Sequence, residues 1–259
     1  METDSLFSLD GKVAVVIGGA GVLAGAMAEG LARAGADIVI IYHHSREKAE
    51  ERVRRICGSG RRALAVQADA TRRPDLERAL AATLEAFGRV DILINAAGIN
   101  SATPFFEIEE EEWQRILDVN LKSVFLACQV FGKVMVESGR GGSVINISSA
   151  SSGPPLSKVF TYSISKAGVN QLTQFLAREW APYKVRVNAI LPGFFPAEQN
   201  RRLLTPERTA QILNHTPMKR FGEPEELVGA AIYLASEKAS SFVTGSILRV
   251  DGGFLAMTI

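Results

Sequence analysis

Apolar residues along this chain fall in short unbroken runs separated by longer stretches of helical spacing. Lys12 to Gly18 (K-V-A-V-V-I-G) is continuous rather than alternating, as suits a strand buried on both faces of a parallel sheet. Asp37 to Tyr42, Ala63 to Ala68, Val90 to Asn95 and Lys184 to Leu191 read as further strands, and Ser143 to Ser148 alternates polar and apolar residues as another. Between them the spacing predicts helices: from the glycine-rich turn after Gly18 to about Ala34, from about Glu111 to Val136, from near Thr161 to about Trp180, and near Pro224 to Ala235. In the third of these, Val169, Leu172, Phe175 and Leu176 form an apolar stripe of the kind that packs in a core or against another subunit. Strand and helix in alternation predict a doubly wound α/β fold, mainly parallel, with seven strands and helices on both faces.

Composition narrows the picture. The chain has 259 residues, 47% of them hydrophobic, enough for a single domain over 1–259 with a large core. Formal net charge is +1, so no general attraction to nucleic acid or to an anionic membrane is expected. The basic stretch Arg52 to Arg62 reads as the solvated face and end of a helix, where cations suit the dipole. Cys57 and Cys128 have neither the spacing nor the histidine company of a metal site, and His215 has no second ligand candidate nearby. No metal is expected, and reduced thiols in a cytoplasmic protein are. Met1 to Asp10 carries acids and no apolar run, unlike a signal peptide. No stretch is read as apolar over the length needed to cross a bilayer.

Two stretches carry candidate chemistry. The turn Gly18-Gly19-Ala20-Gly21-Val22-Leu23-Ala24-Gly25 sits between a strand and a helix. There, backbone N–H groups and the helix dipole face a bound pyrophosphate. From Gly19 it fits G-x-G-x-x-A. The second stretch runs from Ser149 to Lys166 (S-A-S-S-G-P-P-L-S-K-V-F-T-Y-S-I-S-K), a strand end, a Gly-Pro-Pro loop and a helix start. Tyr162 and Lys166 are four residues apart, so on a helix they share a face. An ammonium beside a phenol favours the phenolate, so Lys166 is expected to lower the Tyr162 pKa and make it a proton donor or acceptor near neutrality. A lone Y-x-x-x-K is also a common surface pair on helices.

These motifs, in this order over nearly the whole chain, resemble the classical short-chain dehydrogenase/reductase family. The family's catalytic serine stands 13 residues before the tyrosine, and 162 minus 13 gives Ser149, with Ser148 as its neighbour. The resemblance implies catalytic roles for Asn120, Ser149, Tyr162 and Lys166, with Asn120 in D-V-N-L holding a proton-path water. It implies a nicotinamide cofactor held by Gly18, Gly19, Gly21, Val22 and Leu23 at the turn. Asp69 and Ala70 would lie at the adenine, Asn95, Ala96 and Gly98 of N-A-A-G beside the ribose, and Tyr162, Lys166, Pro192 and Gly193 at the nicotinamide end. Thr244 to Gly253 resembles the last strand. The turn departs from the family pattern: Ile17, Val22 and Ala24 stand where Thr, Gly and Gly are expected. At the second strand's end the family pattern puts Tyr42, and no carboxylate appears before Glu47. An acid there would select a ribose 2′-OH, whereas His43, Ser45 and Arg46 suit a 2′-phosphate, so NADP(H) is favoured and NAD(H) is the alternative.

The implied reaction is reversible hydride transfer between the nicotinamide and a carbonyl or secondary alcohol of a small molecule. Residues 194 to 216 are expected to form a substrate lid. Pro192 to Arg201 and the first turn resemble the sugar-acid branch of the family, the D-mannonate oxidoreductase-like members. Glu198 and Asn200 would then bind hydroxyls and Arg201 a carboxylate, beside Ser149 and Tyr162. Two alternatives stand: a 3-oxoacyl-thioester reductase with the same motifs, and a non-catalytic dinucleotide-sensing protein. The family likeness also implies a homotetramer or a dimer.

Overall fold

The computed structural model describes residues 3–156, 158–195 and 204–257. Its strands are β1 (Val13–Ile17), β2 (Asp37–Tyr42), β3 (Ala63–Gln67), β4 (Ile92–Asn95), β5 (Gly142–Ile147), β6 (Val185–Pro192) and β7 (Ile247–Val250). They form one sheet in the order β3-β2-β1-β4-β5-β6-β7. Every neighbouring pair is parallel, with Val15 of β1 opposite Val39 on one side and Leu93 on the other. The sheet is thus wholly parallel. Strand order reverses between β1 and β4, which opens a crevice at the carboxyl ends of those strands.

The helices that matter below are α1 (Val22–Arg33), α2 (Arg46–Gly58), α3 (Arg73–Phe87), α4 (Glu110–Glu137), α5 (Phe160–Trp180), α6 (Pro206–His215) and α7 (Val228–Ala235). The unbroken apolar strands serve two cores at once. Ala14 and Val16 join Met27 and Leu31 of α1 and Leu234 of α7 on one face. Val13, Val15 and Ile17 join Leu76 of α3, Phe131 of α4 and Val169 of α5 on the other. Alternation along a strand sends successive side chains to opposite faces, and here both faces are covered.

Helix α4 is not a plain α-helix. Two π segments interrupt it, Asp118–Lys122 and Cys128–Gly132. The second ends where α4 and α5 approach closely: a Cβ on Gly132 would lie 2.3 Å from the Trp180 ring. By length and composition α4 is the one helix among the described residues apolar enough to cross a membrane, which the sequence reading did not expect. Its apolar residues Val124, Ala127, Val130, Phe131 and Met135 are packed into the second core.

A buried polar chain ties α5 to the sheet. Asn95 at the end of β4 donates to Asn146 Oδ1 of β5 at 2.8 Å, and Asn146 donates to Thr173 Oγ1 of α5 at 2.9 Å. All three side chains are buried. Thr173 in turn donates to the Val169 carbonyl at 2.8 Å. Such a chain, with each donor met by an acceptor, fixes one register of helix on sheet.

Candidate active site

The carboxyl ends of β1, β2, β4, β5 and β6 border a cleft of about 1480 Å³. Its floor at one end is the glycine turn. Gly18 has φ of 76°, and a Cβ there would meet the Ala97 amide nitrogen at 2.9 Å. Gly21 precedes α1 and supplies no side-chain cap to it. The first N–H groups of α1 therefore have no side-chain acceptor and stand beside the cleft, the arrangement that receives a pyrophosphate. Of the residues expected to hold the cofactor, Gly18, Gly21, Val22, Leu23, His43, Ser45, Asp69, Ala96, Gly98, Tyr162, Lys166, Pro192 and Gly193 line this cleft.

Four expected contacts are placed elsewhere. Gly19 packs the turn onto the sheet, where a Cβ would lie 2.9 Å from Ile40 Cδ1. Asn95 is 2% exposed, its amide spent on Asn146. Ala70 packs on the second core. Arg46 points away along α2, its Nε donating to Glu50 at 2.7 Å. The cleft instead receives His44 and Lys48 near Ser45, and Thr71 beside Asp69. The signal for Lys48 was available: three residues after Ser45, it sits in the first turn of a helix that starts at the cleft. Burial acts to raise the Asp69 carboxyl, but hydrogen bonds from the Thr71 hydroxyl and amide and the nearby His43 outweigh it, so it lies below its ordinary value.

At the other end of the cleft are the groups expected to react. Ser149 follows β5, and its Oγ accepts from the Ser151 amide at 3.2 Å and the Ser151 hydroxyl at 3.1 Å. It also hydrogen-bonds the Tyr162 side chain. Ser148 is turned inward, donating to the Lys166 carbonyl at 3.3 Å, so only Ser149 faces Tyr162. Lys166 is 4% exposed, and its Nζ donates to the Ile147 carbonyl at 2.8 Å. It stands 5.7 Å from the centre of the Tyr162 ring.

This geometry corrects one expectation. Lys166 does not pull the Tyr162 phenol down in the ligand-free protein. Burial disfavours the charged form of both groups. It pushes Tyr162 up against the opposing hydrogen bond with Ser149, and it pushes Lys166 down to about 8. Tyr162 is therefore a neutral phenol at physiological pH, in the protonation state of a proton donor.

Asn120 lies in the first π segment of α4 and is fully buried. Its Oδ1 accepts from the Ile99 amide at 2.8 Å, and its Nδ2 donates to the Ile99 carbonyl at 2.9 Å and Ser165 Oγ at 3.0 Å. The side chain is thus a tether between the loop after β4 and α5. A π segment lets one residue project off the regular helical stripe, and such segments recur at functional sites. Of the expected lid, Phe194, Phe195, Leu204 and Arg208 line the cleft. Glu198, Asn200 and Arg201 lie outside the described residues. His215, at the end of α6, stacks edge-on against Phe254 at 4.6 Å.

A parallel doubly wound sheet with a phosphate-receiving turn at its switch point, and a serine, tyrosine and lysine converging on the same cleft, defines a dinucleotide-dependent oxidoreductase. Comparison with known proteins gives the family. A family model described as enoyl-(acyl carrier protein) reductase matches residues 19–255. The 2-dehydro-3-deoxy-D-gluconate 5-dehydrogenase of Escherichia coli (strain K12) is 39% identical over 97% of this chain and 98% of its own. The 5-keto-D-gluconate 5-reductase of the same strain is 38% identical over the same shares. A gluconate 5-dehydrogenase from Burkholderia cenocepacia J2315, solved in complex with NADP and tartrate, superimposes with a TM-score of 0.94 at 34% identity, covering 99% of this chain and 100% of that one. The chain belongs to the short-chain dehydrogenase/reductase family and is an oxidoreductase that uses a nicotinamide dinucleotide.

Two outcomes follow. Tyr162→Phe should lower kcat by about 10²- to 10⁴-fold and leave the dinucleotide Kd within a few-fold, read by steady-state kinetics and fluorescence titration. Lys166→Met should be more stable than the parent at pH 7. The folded pKa of about 8 lies below the ordinary 10.5. The penalty for burying the ammonium is therefore complete below pH 8 and fades as pH rises toward 10.5. Urea unfolding should show an advantage on the order of 1–2 kcal/mol at pH 7 that shrinks by pH 9.5.

Proposed function

We propose that the protein interconverts a keto group and a secondary alcohol on a polyhydroxy acid of sugar origin, with NADP(H) preferred over NAD(H). The convergence of Ser149, Tyr162 and Lys166 at one end of the dinucleotide cleft carries the reaction type. In the reducing direction Ser149 and Tyr162 hydrogen-bond the substrate carbonyl oxygen, and Tyr162 Oη passes its proton to that oxygen. A bound reduced nicotinamide supplies the hydride. Lys166 restores the proton through the path that begins beside Asn120.

The substrate class is supported by the relatives, named for gluconate derivatives, and by Arg208, a guanidinium on the cleft wall formed by α6. Guanidinium recognises carboxylate in a planar, bidentate way. The cofactor preference is supported by His43, His44, Ser45 and Lys48 at the β2 end of the cleft, where Tyr42 closes the strand without a carboxylate. Pairing of copies into a tetramer or dimer, in the cytoplasm, is part of the same reading. It is supported by Phe125 of α4 and Phe175 of α5, which are 44% and 65% exposed.

Two measurements test this. In kcat/KM comparisons NADP(H) should exceed NAD(H), and His43→Asp should cut the NADP(H) value by about tenfold or more while sparing NAD(H). A clear NAD(H) preference in the parent would refute the cofactor reading. With a panel of keto sugar acids, neutral keto sugars and oxoacyl thioesters, Arg208→Ala should raise KM for the acids by about tenfold and leave the neutral sugars little changed. Equal effects on both, or turnover confined to thioesters, would refute the sugar-acid reading.

A further inference from the structure

The loop that follows β4 carries a donor that the chemistry above leaves unused. Asn100 lines the catalytic cleft. Its Oδ1 accepts from the Ser101 amide at 2.8 Å. Only the oxygen of a carboxamide can accept from an N–H, so this bond fixes which way the group points. The Nδ2 end is left with no hydrogen bond to protein among the described residues.

The loop is held from two sides. Asn120 binds both the N–H and the carbonyl of Ile99, the residue just before. On the far side, Thr103 Oγ1 donates to Glu112 Oε2 of α4 at 2.8 Å, and Ser101 Oγ lies 2.7 Å from Thr103 Oγ1. The Thr103 amide also donates to Ser101 Oγ at 3.2 Å. Asn100 thus sits on a braced segment. It is also close to the reacting centre. A Cβ on Gly98 would lie 3.6 Å from Lys166 Nζ, and two residues of chain reach at most about 7 Å.

We infer that Asn100 is a specificity-determining residue whose Nδ2 donates to a substrate hydroxyl beside the reacting carbon. The inference rests on the reading that the substrate is polyhydroxylated, and it adds which group on the enzyme reads that hydroxylation. A substrate that lacks the hydroxyl shuts the donor away from water without an acceptor, and that loss is what discriminates. The Ser101 bond and the Asn120 tether hold the donor in place before substrate arrives.

The test uses matched pairs of carbonyl compounds with the dinucleotide-loaded enzyme. The pairs are a keto sugar acid, a neutral hydroxy ketone and a hydroxylated oxoacyl thioester, each with the counterpart lacking the hydroxyl next to the carbonyl. The parent enzyme should prefer the hydroxylated member of its best pair by about 10- to 100-fold in kcat/KM. Asn100→Asp keeps the oxygen that accepts from Ser101 and replaces only the donor. It should lose that preference through KM rather than kcat, and Asn100→Ala should do the same. Dinucleotide Kd and the thermal midpoint should stay at parent values. A parent without the preference, or variants that retain it, would overturn the inference. So would loss of preference accompanied by a falling thermal midpoint in both variants, which would make Asn100 a structural residue. If the preference tracks Asn100 in the neutral or thioester pair alone, the assignment of Asn100 holds and the sugar-acid reading fails.

Discussion

Helix α5 carries Tyr162 and Lys166, and its attachment to the sheet is the constraint on which the site depends. That attachment is made inside an apolar core by the hydrogen bonds Asn95 to Asn146 and Asn146 to Thr173. Apolar packing alone tolerates small slides of a helix across a sheet. A buried amide or hydroxyl that loses its partner costs about 1–3 kcal/mol, so this chain does not. Thr173 stands about three turns beyond Tyr162 on the same helix. A slip of one residue would carry Tyr162 about 1.5 Å along the axis, enough to spoil alignment with Ser149, which is fixed to β5.

Burial then sets the electrostatics. The same packing that fixes α5 removes water from Lys166 and Tyr162, and each is pushed toward its neutral form. The phenol stays protonated, and among the described residues the ammonium donates to the Ile147 carbonyl. A lysine with its pKa near 8 titrates close to neutrality. It can pass and recover a proton there more readily than an exposed one.

Much of this was legible in the chain. Unbroken apolar runs gave β1, β2, β3, β4 and β6 within one or two residues, because strands covered on both faces need no polar alternation, whereas β5 was read from the alternating stretch Ser143 to Ser148 and β7 from family likeness over the longer span Thr244 to Gly253. Tyr162 and Lys166 were legible as a pair because they stand four residues apart on one helix, and Ser149 was picked out by the 13-residue offset of the resembled family. Long-range consequences were not. The π segment at Asn120 leaves no local sign in D-V-N-L, and the partners of its side chain, Ile99 and Ser165, lie 21 and 45 residues away in the chain. The turning of Arg46 to Glu50 follows from an i,i+4 pair that competes with any ligand for the guanidinium. The direction of the Tyr162 shift depends on burial, which spacing between two residues does not reveal. The apolar length of α4 was missed because its polar residues interrupt the run, while its buried face continues through them.

The glycine turn shows how a family pattern can be broken and its physics kept. Val22 and Ala24 stand where glycines are expected, yet Val22 is 39% exposed at the cleft wall and Ala24 is buried at 3% in the first core. Neither position demands a missing side chain. Gly18 does, because its backbone is left-handed and Ala97 is in contact with the space a Cβ would fill. The requirement for glycine is therefore set by the closest approach of β4's following loop to β1. At the start of α1 a side chain is tolerated provided it points along the cleft. What the ligand needs there is the N–H groups of the first turn, and they belong to the backbone whichever residues carry them.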